Sequence, residues 1–468
     1  MLTIHDRGHA ATCQGRTRRE FLRIGSLALG GLALTDLLAA KARGGSNDST
    51  QHKSVVLLFL QGGPTQLETW DPKPEAPAEY RTIVDTIPTA HAGLRFSKYF
   101  PRLAAAAKDF TLFHSFASGN AGHTYESVTT GGNKTKASMS AAYAQLAGGV
   151  NPRNSLPTNL LILPEAVQEG LKLQSNFETQ ALPTLTQTGA LSSQYEAFSP
   201  AGGSTLKRNM TLTLPRERFD DRRKLLAGFD ALRHDLDRGA ALAQADKFQQ
   251  QAYDIITRGV TDAFDLSKED RKTVDLYDTS KLFKLEEATR WHDMKRTSNL
   301  LGKQMLLARR LCESGAGFVT VSDCGWDMHA NKNSPNNMEG LKWLAPQVDH
   351  AVAAFLEDVK QRGLSDKILL VVTGEMGRTP KLNKNGGREH YGSLTPLLVA
   401  GGGLKMGQVV GKSDATASKP VTTTYTPAHL FGTVMRYLLD IPQLRLRTDL
   451  NRDLMAAIEN APVISELT

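Results

Sequence analysis

Short apolar runs separated by helical segments constrain the fold of this chain more than any other sequence feature does. Each run is Leu-rich or rich in β-branched residues. The predicted strands are Ser54–Leu60, Phe110–Phe113, Asn159–Leu163, Gly317–Val321, Lys367–Thr373 and Thr395–Ala400. Strands that are apolar along their whole length are typical of parallel sheets, which helices cover on both faces. We therefore predict an α/β fold with a mostly parallel central sheet and helices on both faces.

The helical segments fit this architecture. A helix predicted from Trp343 to Val359 carries its apolar residues on one face and lies between two predicted strands, as a crossover helix does. The charged stretch at about 216–311 has apolar residues at helical spacing and predicts a helical insertion beside the sheet. Because no repeat or linker-like tract divides the chain, we predict a single α/β domain over residues 43–468.

The N-terminus has the pattern of an export signal. Residues 17–22 read TRREFL, an apolar stretch runs from Ile24 to Ala40, and Ala40-Lys41-Ala42 is a small-x-small cleavage pattern. This order predicts a twin-arginine type signal peptide over residues 1–42, and hence a periplasmic or secreted protein. An amphipathic helix and an uncleaved anchor remain alternatives. No other segment reaches the length of a membrane span, so we expect no transmembrane span after signal removal.

Charge and cysteine usage limit the partners. The formal net charge is +8, and residues 1–42 contribute six basic and three acidic side chains to it. The remaining excess is mild and spread along the chain, which argues against a nucleic-acid partner. Two cysteines lie beyond the signal, Cys312 and Cys324, and they are expected either to pair in an oxidising compartment or to be buried free thiols.

Polar clusters follow three of the predicted strands, at the place where α/β sheets bind ligands. After the strand that ends at Val321, Asp327 and His329 are two residues apart, so in an extended segment both side chains point to one side. This predicts half of a metal site, and the alternative is an Asp that orients or caps a His. Glu375 follows another apolar strand, where a carboxylate is costly unless it is paired, with Arg378 for instance, or coordinated.

Further polar residues lie in loops. His390 precedes the last predicted strand and is either a ligand or a surface histidine. Arg378 and Arg388 are suited to hold an anion by forked hydrogen bonds, although ordinary salt bridges are equally expected. His123 ends a loop of small residues that either approaches a ligand closely or is simply a turn.

Four motifs, in order along the chain, carry a family resemblance. They are GGPTQLETWDPKP, GWDMHANK, TGEMGRTPKLN and GREHYG. Behind a twin-arginine leader, they resemble the bacterial family known as domain of unknown function 1501, over nearly the whole mature chain. That family is placed with the sulfatases in the alkaline phosphatase clan, whose members hydrolyse or transfer sulfate and phosphate esters with one or two metals. The resemblance implies an alkaline phosphatase/sulfatase-like fold.

The resemblance also implies a metal site. Asp327, His329 and His390 would ligate one divalent metal ion, with zinc expected, and leave a position open for water or substrate. Glu375 and Met376 stand where the clan has an Asp-His pair, so a second metal site is expected to be lost.

The remaining roles belong to the leading hypothesis, which rests on the polar clusters at the strand ends and is strengthened by the resemblance. Glu375 would act as a base or an additional ligand, His123 as the acid, and Arg378 and Arg388 would hold the anion. No residue clearly matches the clan's nucleophile, and Thr65 is an alternative whose other role is a helix N-cap.

Two functions remain open at this point. The first is an exported, sulfatase-like metal-dependent hydrolase of sulfate or phosphate esters, whose partner is a small anionic ester or a sulfated glycan. The second is a noncatalytic exported anion- or glycan-binding protein that keeps the fold and has lost turnover. The sequence leaves the oligomeric state undetermined.

Overall fold

A seven-stranded sheet lies at the centre of the structure, a computed structural model that describes residues 49–200 and 260–468. Its strands, in chain order, are β1 (Ser54–Leu60), β4 (Phe110–Phe113), β5 (Asn159–Ile162), β6 (Phe318–Asp323), β7 (Ile368–Thr373), β10 (Leu397–Gly401) and β11 (Val409–Val410). Two small hairpins are separate from it, β2 (Thr86–Pro88) with β3 (Arg95–Ser97), and β8 (Gly377–Arg378) with β9 (His390–Tyr391). Every predicted strand is present.

The sheet is mostly parallel, as predicted. Its strand order is β11-β4-β10-β7-β1-β6-β5. β5, β6, β1 and β7 pair in parallel, and β10 is antiparallel to both of its neighbours. The predicted fold class is therefore confirmed.

Strand register brings several loops to one edge. Leu60 lies opposite Asp323, and Phe59 lies opposite Thr373, so β1, β6 and β7 end together. Because β10 runs the other way, its first residue, Leu397, lies at the same edge, opposite both Thr373 and the end of β4. The segments that follow β1, β4, β6 and β7, and the one that precedes β10, meet there.

Helices cover both faces of the sheet. The helices of the described residues are α1 (Pro101–Ala105), α2 (Glu126–Thr129), α3 (Met139–Ala147), α4 (Phe177–Ala181), α5 (Arg271–Leu276), α6 (Leu285–Thr289), α7 (Leu301–Glu313), α8 (Leu341–Gln361), α9 (Pro427–Leu438), α10 (Ile441–Leu444) and α11 (Arg452–Asn460). α8 contains the helix predicted between two strands. Alternate residues of β1 pack into opposite cores, with Val56 and Leu58 beside α7 and α8, and Val55 and Leu57 beside α3 and α9.

The predicted insertion falls partly outside the described residues, which resume at residue 260. From there to residue 300 the chain forms α5, α6 and short 3₁₀ turns, and α7 then packs against β6, β1 and α8. The predicted signal peptide also lies outside the described residues, so export stays a prediction. Within the described part of the chain, no helix has both the length and the hydropathy to cross a bilayer. Cys312 and Cys324 are both buried free thiols.

Candidate metal centre

Four side chains meet at the edge where β1, β6 and β7 end, and we call them the histidine cluster: His123, Asp327, His329 and His390. His123 comes from the segment after β4, Asp327 and His329 come from the segment after β6, and His390 lies in β9 before β10. The topology thus brings together residues from three distant parts of the sequence.

Three ligand-type atoms form a small triangle in the histidine cluster. His329 Nε2 lies 2.9 Å from His390 Nε2 and 2.9 Å from Asp327 Oδ1. The third side, from His390 Nε2 to Asp327 Oδ1, is 3.3 Å. Tetrahedral ligands about 2.1 Å from a zinc ion lie roughly 3.4 Å from one another, so these three atoms are close enough to share one ion after a small adjustment.

The hydrogen-bond network assigns the protons of the three imidazoles. Each ring has its Nδ1 against an oxygen that carries no hydrogen. The contacts are from His329 to Glu389 Oε2 (2.6 Å), from His390 to the Ala121 carbonyl (3.2 Å) and from His123 to Glu375 Oε1 (2.9 Å). Each Nδ1 therefore donates a hydrogen, and in a neutral ring Nε2 keeps its lone pair. This anchoring of the outer nitrogen is usual for metal-ligating histidines.

His123 is a further candidate ligand, and the role of acid that the sequence suggested for it stays a prediction. Its Nε2 lies 3.6 Å from Asp327 Oδ2. His123, Asp327 and His390 each offer a ligand atom, and these atoms lie within 4.8 Å of one another. With His329 beside them, the predicted ligands Asp327, His329 and His390 gain a fourth candidate.

The charges around the cluster match a divalent cation. Asp327, Glu375 and Glu389 supply three carboxylates that contact the cluster's histidines, and Arg378 supplies one guanidinium. With neutral imidazoles, two negative charges are left without a partner. Converging lone pairs and an excess of two negative charges are the arrangement that a divalent ion stabilises. The residues therefore fit a divalent metal.

The pKa values of two cluster residues reflect the same crowding. Burial raises the pKa of Asp327, but the Arg378 guanidinium and the three imidazoles outweigh it and hold this pKa well below its usual range. Burial lowers the pKa of His123, and its hydrogen bonds to Asp327 and Glu375 raise it to about 9. Without a metal these contacts favour the protonated form of His123, and a bound ion would take the place of that proton.

Glu375 holds His123 in place. Its side chain is completely buried, and Oε1 accepts hydrogen bonds from His123 Nδ1 and from the Gly62 backbone N–H at 2.9 Å. Oε2 has no hydrogen-bond partner among the described residues. Gly62 makes this contact from a left-handed conformation (φ 111°), and a Cβ there would lie 2.5 Å from the Asp327 backbone nitrogen.

Arg378 is buried and pairs with Asp327 rather than with Glu375. Its guanidinium also donates to the carbonyls of Gly62 and Gly63, the latter at 2.8 Å. The remaining N–H groups face the Arg388 carbonyl (3.2 Å) and His329 Nε2 (3.3 Å). Arg378 orients Asp327 through this internal ion pair, and its anion-holding role stays a prediction.

Arg388 is also engaged within the protein. It is completely buried and forms a forked ion pair with Glu68, at 2.8 and 3.0 Å. Its other N–H groups donate to backbone carbonyls of Arg81, Thr379 and Pro380. The structure again supports the salt-bridge alternative. The Thr65 hydroxyl donates to the same Glu68 at 2.6 Å, and no described helix begins at Thr65, so it is neither an exposed nucleophile nor a helix cap.

Comparison with known proteins places the chain in a family. The profile described as "Protein of unknown function (DUF1501)" matches residues 52–467. The chain belongs to the DUF1501 family. No curated protein matches it.

Several solved structures overlap loosely with this DUF1501 chain. They include Ps i-CgsB in complex with k-i-k-neocarrahexaose (11% identity, 88% of this chain and 77% of that chain, TM-score 0.32). A phosphonate monoester hydrolase from Silicibacter pomeroyi (13%, 82% and 73%, 0.30) and a sulfatase from Pseudoalteromonas sp. (12%, 86% and 70%, 0.28) are others. These TM-scores lie below 0.5, and overlaps at that level carry no argument about function.

Sequence reasoning about this DUF1501 chain missed several residues that support the cluster. Glu389, which anchors His329, directly precedes His390, and the GREHYG motif was the available signal. Phe177 packs its ring 4.2 Å from the His123 ring. The neighbouring Glu178 is completely buried and accepts a hydrogen bond from Gly325 N–H at 2.7 Å, and burial raises its pKa to about 8. Nothing in the sequence around Phe177 and Glu178 indicated these contacts.

Proposed function

We propose that this protein is a metal-dependent hydrolase of sulfate or phosphate esters, and that the histidine cluster is its metal centre. The observation that carries the proposal is the convergence of imidazole lone pairs and Asp327 on one point, with two negative charges in excess. The ester class is supported by the motifs that resemble the sulfatase clan.

The chain's own residues would hold the ion and orient its surroundings. Asp327, His329 and His390 would be its three ligands, with zinc the expected metal, and they would leave a position open for water or substrate beside His123. A divalent ion held there supplies Lewis acidity toward an ester oxygen and lowers the pKa of a coordinated water. Arg378 fixes the direction of the Asp327 carboxylate, and Glu375 and Glu389 keep the ring nitrogens of His123 and His329 directed at the centre.

The noncatalytic alternative retains support from specific contacts. Arg378 and Arg388 are engaged within the protein, and no hydroxyl or thiol of the described residues hydrogen-bonds to a member of the histidine cluster. A site of this kind would bind an anion through the metal ion alone. The two functions differ in whether the bound ester is cleaved.

Turnover of simple esters by the metal-loaded protein tests the proposal. The substrates are p-nitrophenyl sulfate, p-nitrophenyl phosphate and bis-p-nitrophenyl phosphate, assayed with zinc-loaded and chelator-stripped protein and with His390→Ala as the matched variant. We expect zinc-loaded protein to release nitrophenol from at least one ester, and both controls to lose about 100-fold or more of that rate. Retention on immobilised sulfated polysaccharide without release of sulfate or phosphate would instead select the binding protein.

A further inference from the structure

The two loops that carry His329 and His390 are joined by hydrogen bonds to the side-chain amide of Asn383. Asn383 uses all four of its hydrogen-bonding positions. Its Nδ2 donates to the His329 carbonyl (2.7 Å) and to Glu389 Oε1 (2.8 Å), and its Oδ1 accepts from the N–H groups of Gly387 (2.9 Å) and Asn385 (3.0 Å). Only a side-chain amide presents two donors and an acceptor in this way.

These contacts act on a ligand through Glu389. One oxygen of Glu389 accepts from Asn383, and the other accepts from His329 Nδ1 at 2.6 Å. The same Asn383 nitrogen therefore fixes both the backbone of His329 and the carboxylate that orients its ring. Glu389 is next to His390, so the position of the second ligand depends on the same loop.

The loop after His329 needs stabilising contacts from other segments, because several of its residues adopt backbone conformations that are unfavourable for them. Four non-glycine residues within it adopt positive φ angles, namely Ala330 (56°), Lys332 (78°), Asn337 (52°) and Met338 (48°). Conformations of this kind cost about 1 kcal/mol or more each and persist only where surrounding contacts impose them. Two of those contacts come from Asn385, whose Nδ2 donates to the Ala330 carbonyl (2.8 Å) and whose carbonyl accepts from Asn337 N–H (3.0 Å).

We propose that Asn383 is a positioning residue of the metal centre, which aims His329 at the ion by holding its carbonyl and, through Glu389, its ring. The proposal rests on the metal centre proposed above. It predicts that a substitution of Asn383 lowers the affinity for the metal even when the fold remains stable.

Asn383→Asp is the direct test. The substitution keeps the acceptor for Gly387 and Asn385 but removes both donors and places a carboxylate beside Glu389. Loss of a contact that orients a metal ligand costs about 10- to 100-fold in affinity. We expect that loss in zinc affinity, measured by chelator competition, and a changed visible absorption spectrum of the cobalt(II)-loaded protein.

Asn151→Asp is the matched control. Asn151 Nδ2 donates to the Gly315 carbonyl (2.9 Å), and its Oδ1 accepts from Arg153 N–H (2.9 Å). Like Asn383, it therefore joins two loop segments through both ends of its amide. We expect wild-type zinc affinity and an unchanged cobalt spectrum in this variant.

Adding Glu389→Gln keeps the proposal testable if Asn383→Asp alone folds poorly. In the double variant the amide introduced at position 389 can donate to the carboxylate introduced at position 383, while its oxygen accepts from His329. The fold-loss of zinc affinity in the double variant should therefore be smaller than the product of the separate fold-losses in Asn383→Asp and Glu389→Gln. Zinc affinity within twofold of wild type in Asn383→Asp, or a double variant that shows the full product of the two losses, would overturn the proposal. A wild-type protein that binds no zinc would instead reject the metal centre itself.

Discussion

Two clusters of titratable side chains in this protein differ in kind. We call the second one the arginine cluster: Glu269, Arg309, Arg310, Glu313, Asp358 and Arg362. Arg309 is 1% exposed and its guanidinium contacts Glu269, Glu313 and Asp358, each at 2.7 Å. Arg310 and Arg362 bond the same acids, so three guanidinium groups meet three carboxylates. The histidine cluster, in contrast, is rich in acceptors and keeps an excess of negative charge.

This difference separates a structural network from a site. The arginine cluster joins α7 and the end of α8 to the segment around Glu269, and every charge in it has an opposite partner. Asp327 and the imidazole nitrogens around it lie instead in loops at the edge where parallel strands end, the usual place for ligand binding in α/β sheets. Titratable residues indicate a site when their lone pairs converge without enough donors to satisfy them.

Breaking the arginine cluster should have the largest effect, and only on stability. Arg309→Met leaves Asp358 and Glu269 with fewer partners in a buried position, which costs about 3–5 kcal/mol of unfolding free energy. Arg271→Met is the control, because Arg271 and Asp275 form an exposed pair that contributes roughly 1 kcal/mol at most. Chemical denaturation gives both values. An Arg309→Met protein no less stable than the control would contradict the structural role.

Asp323 is a buried carboxylate outside both clusters, and its contribution to stability should depend on pH. Burial raises the pKa of Asp323 from its ordinary value of 3.8 to about 7, and its contacts are Trp326 Nε1 and Gln347 Nε2. The folded state therefore holds the proton more tightly, so this contribution to stability is present below about pH 4 and is lost as the pH rises to 7. Between pH 5 and 8, metal-free wild type should lose on the order of 2–3 kcal/mol relative to Asp323→Asn. Parallel pH profiles of the two proteins would contradict this assignment.

The smallest of these effects concerns the anchor of His123. Glu375→Gln keeps an acceptor for His123 Nδ1 but removes the negative charge, so zinc affinity should fall about tenfold. Glu313→Gln, which alters the arginine cluster instead, should leave zinc affinity unchanged. Chelator competition measures both constants. Equal zinc affinities for Glu375→Gln and wild type would show that Glu375 does not support the centre.

The sequence was most informative where local patterns decide the structure. The apolar runs predicted every strand of the sheet's centre because a buried strand must be apolar along its length. The rule that ligands bind beyond strand ends selected Asp327, His329 and Glu375, and the structure brings them to one edge. His390, which the family resemblance implied as a ligand, lies at the same edge.

Long-range pairing could not be predicted in the same way. Arg388 stands 320 positions from its partner Glu68, and no spacing indicates that the two form a buried ion pair. The role of His123 depends on Glu375 and Asp327, which come from two other loops. Asn383 was overlooked because an amide in a polar loop looks ordinary until its four hydrogen bonds are seen.

The metal content of the purified protein tests the central claim most directly. Elemental analysis should compare wild type with Asp327→Ala, His329→Ala and His390→Ala, and with Glu313→Gln as a variant altered only in the arginine cluster. The account predicts about one divalent ion per chain in wild type and Glu313→Gln, and its loss in the three ligand variants. No ion in wild type under metal-replete conditions, or an ion retained by the ligand variants, would contradict it.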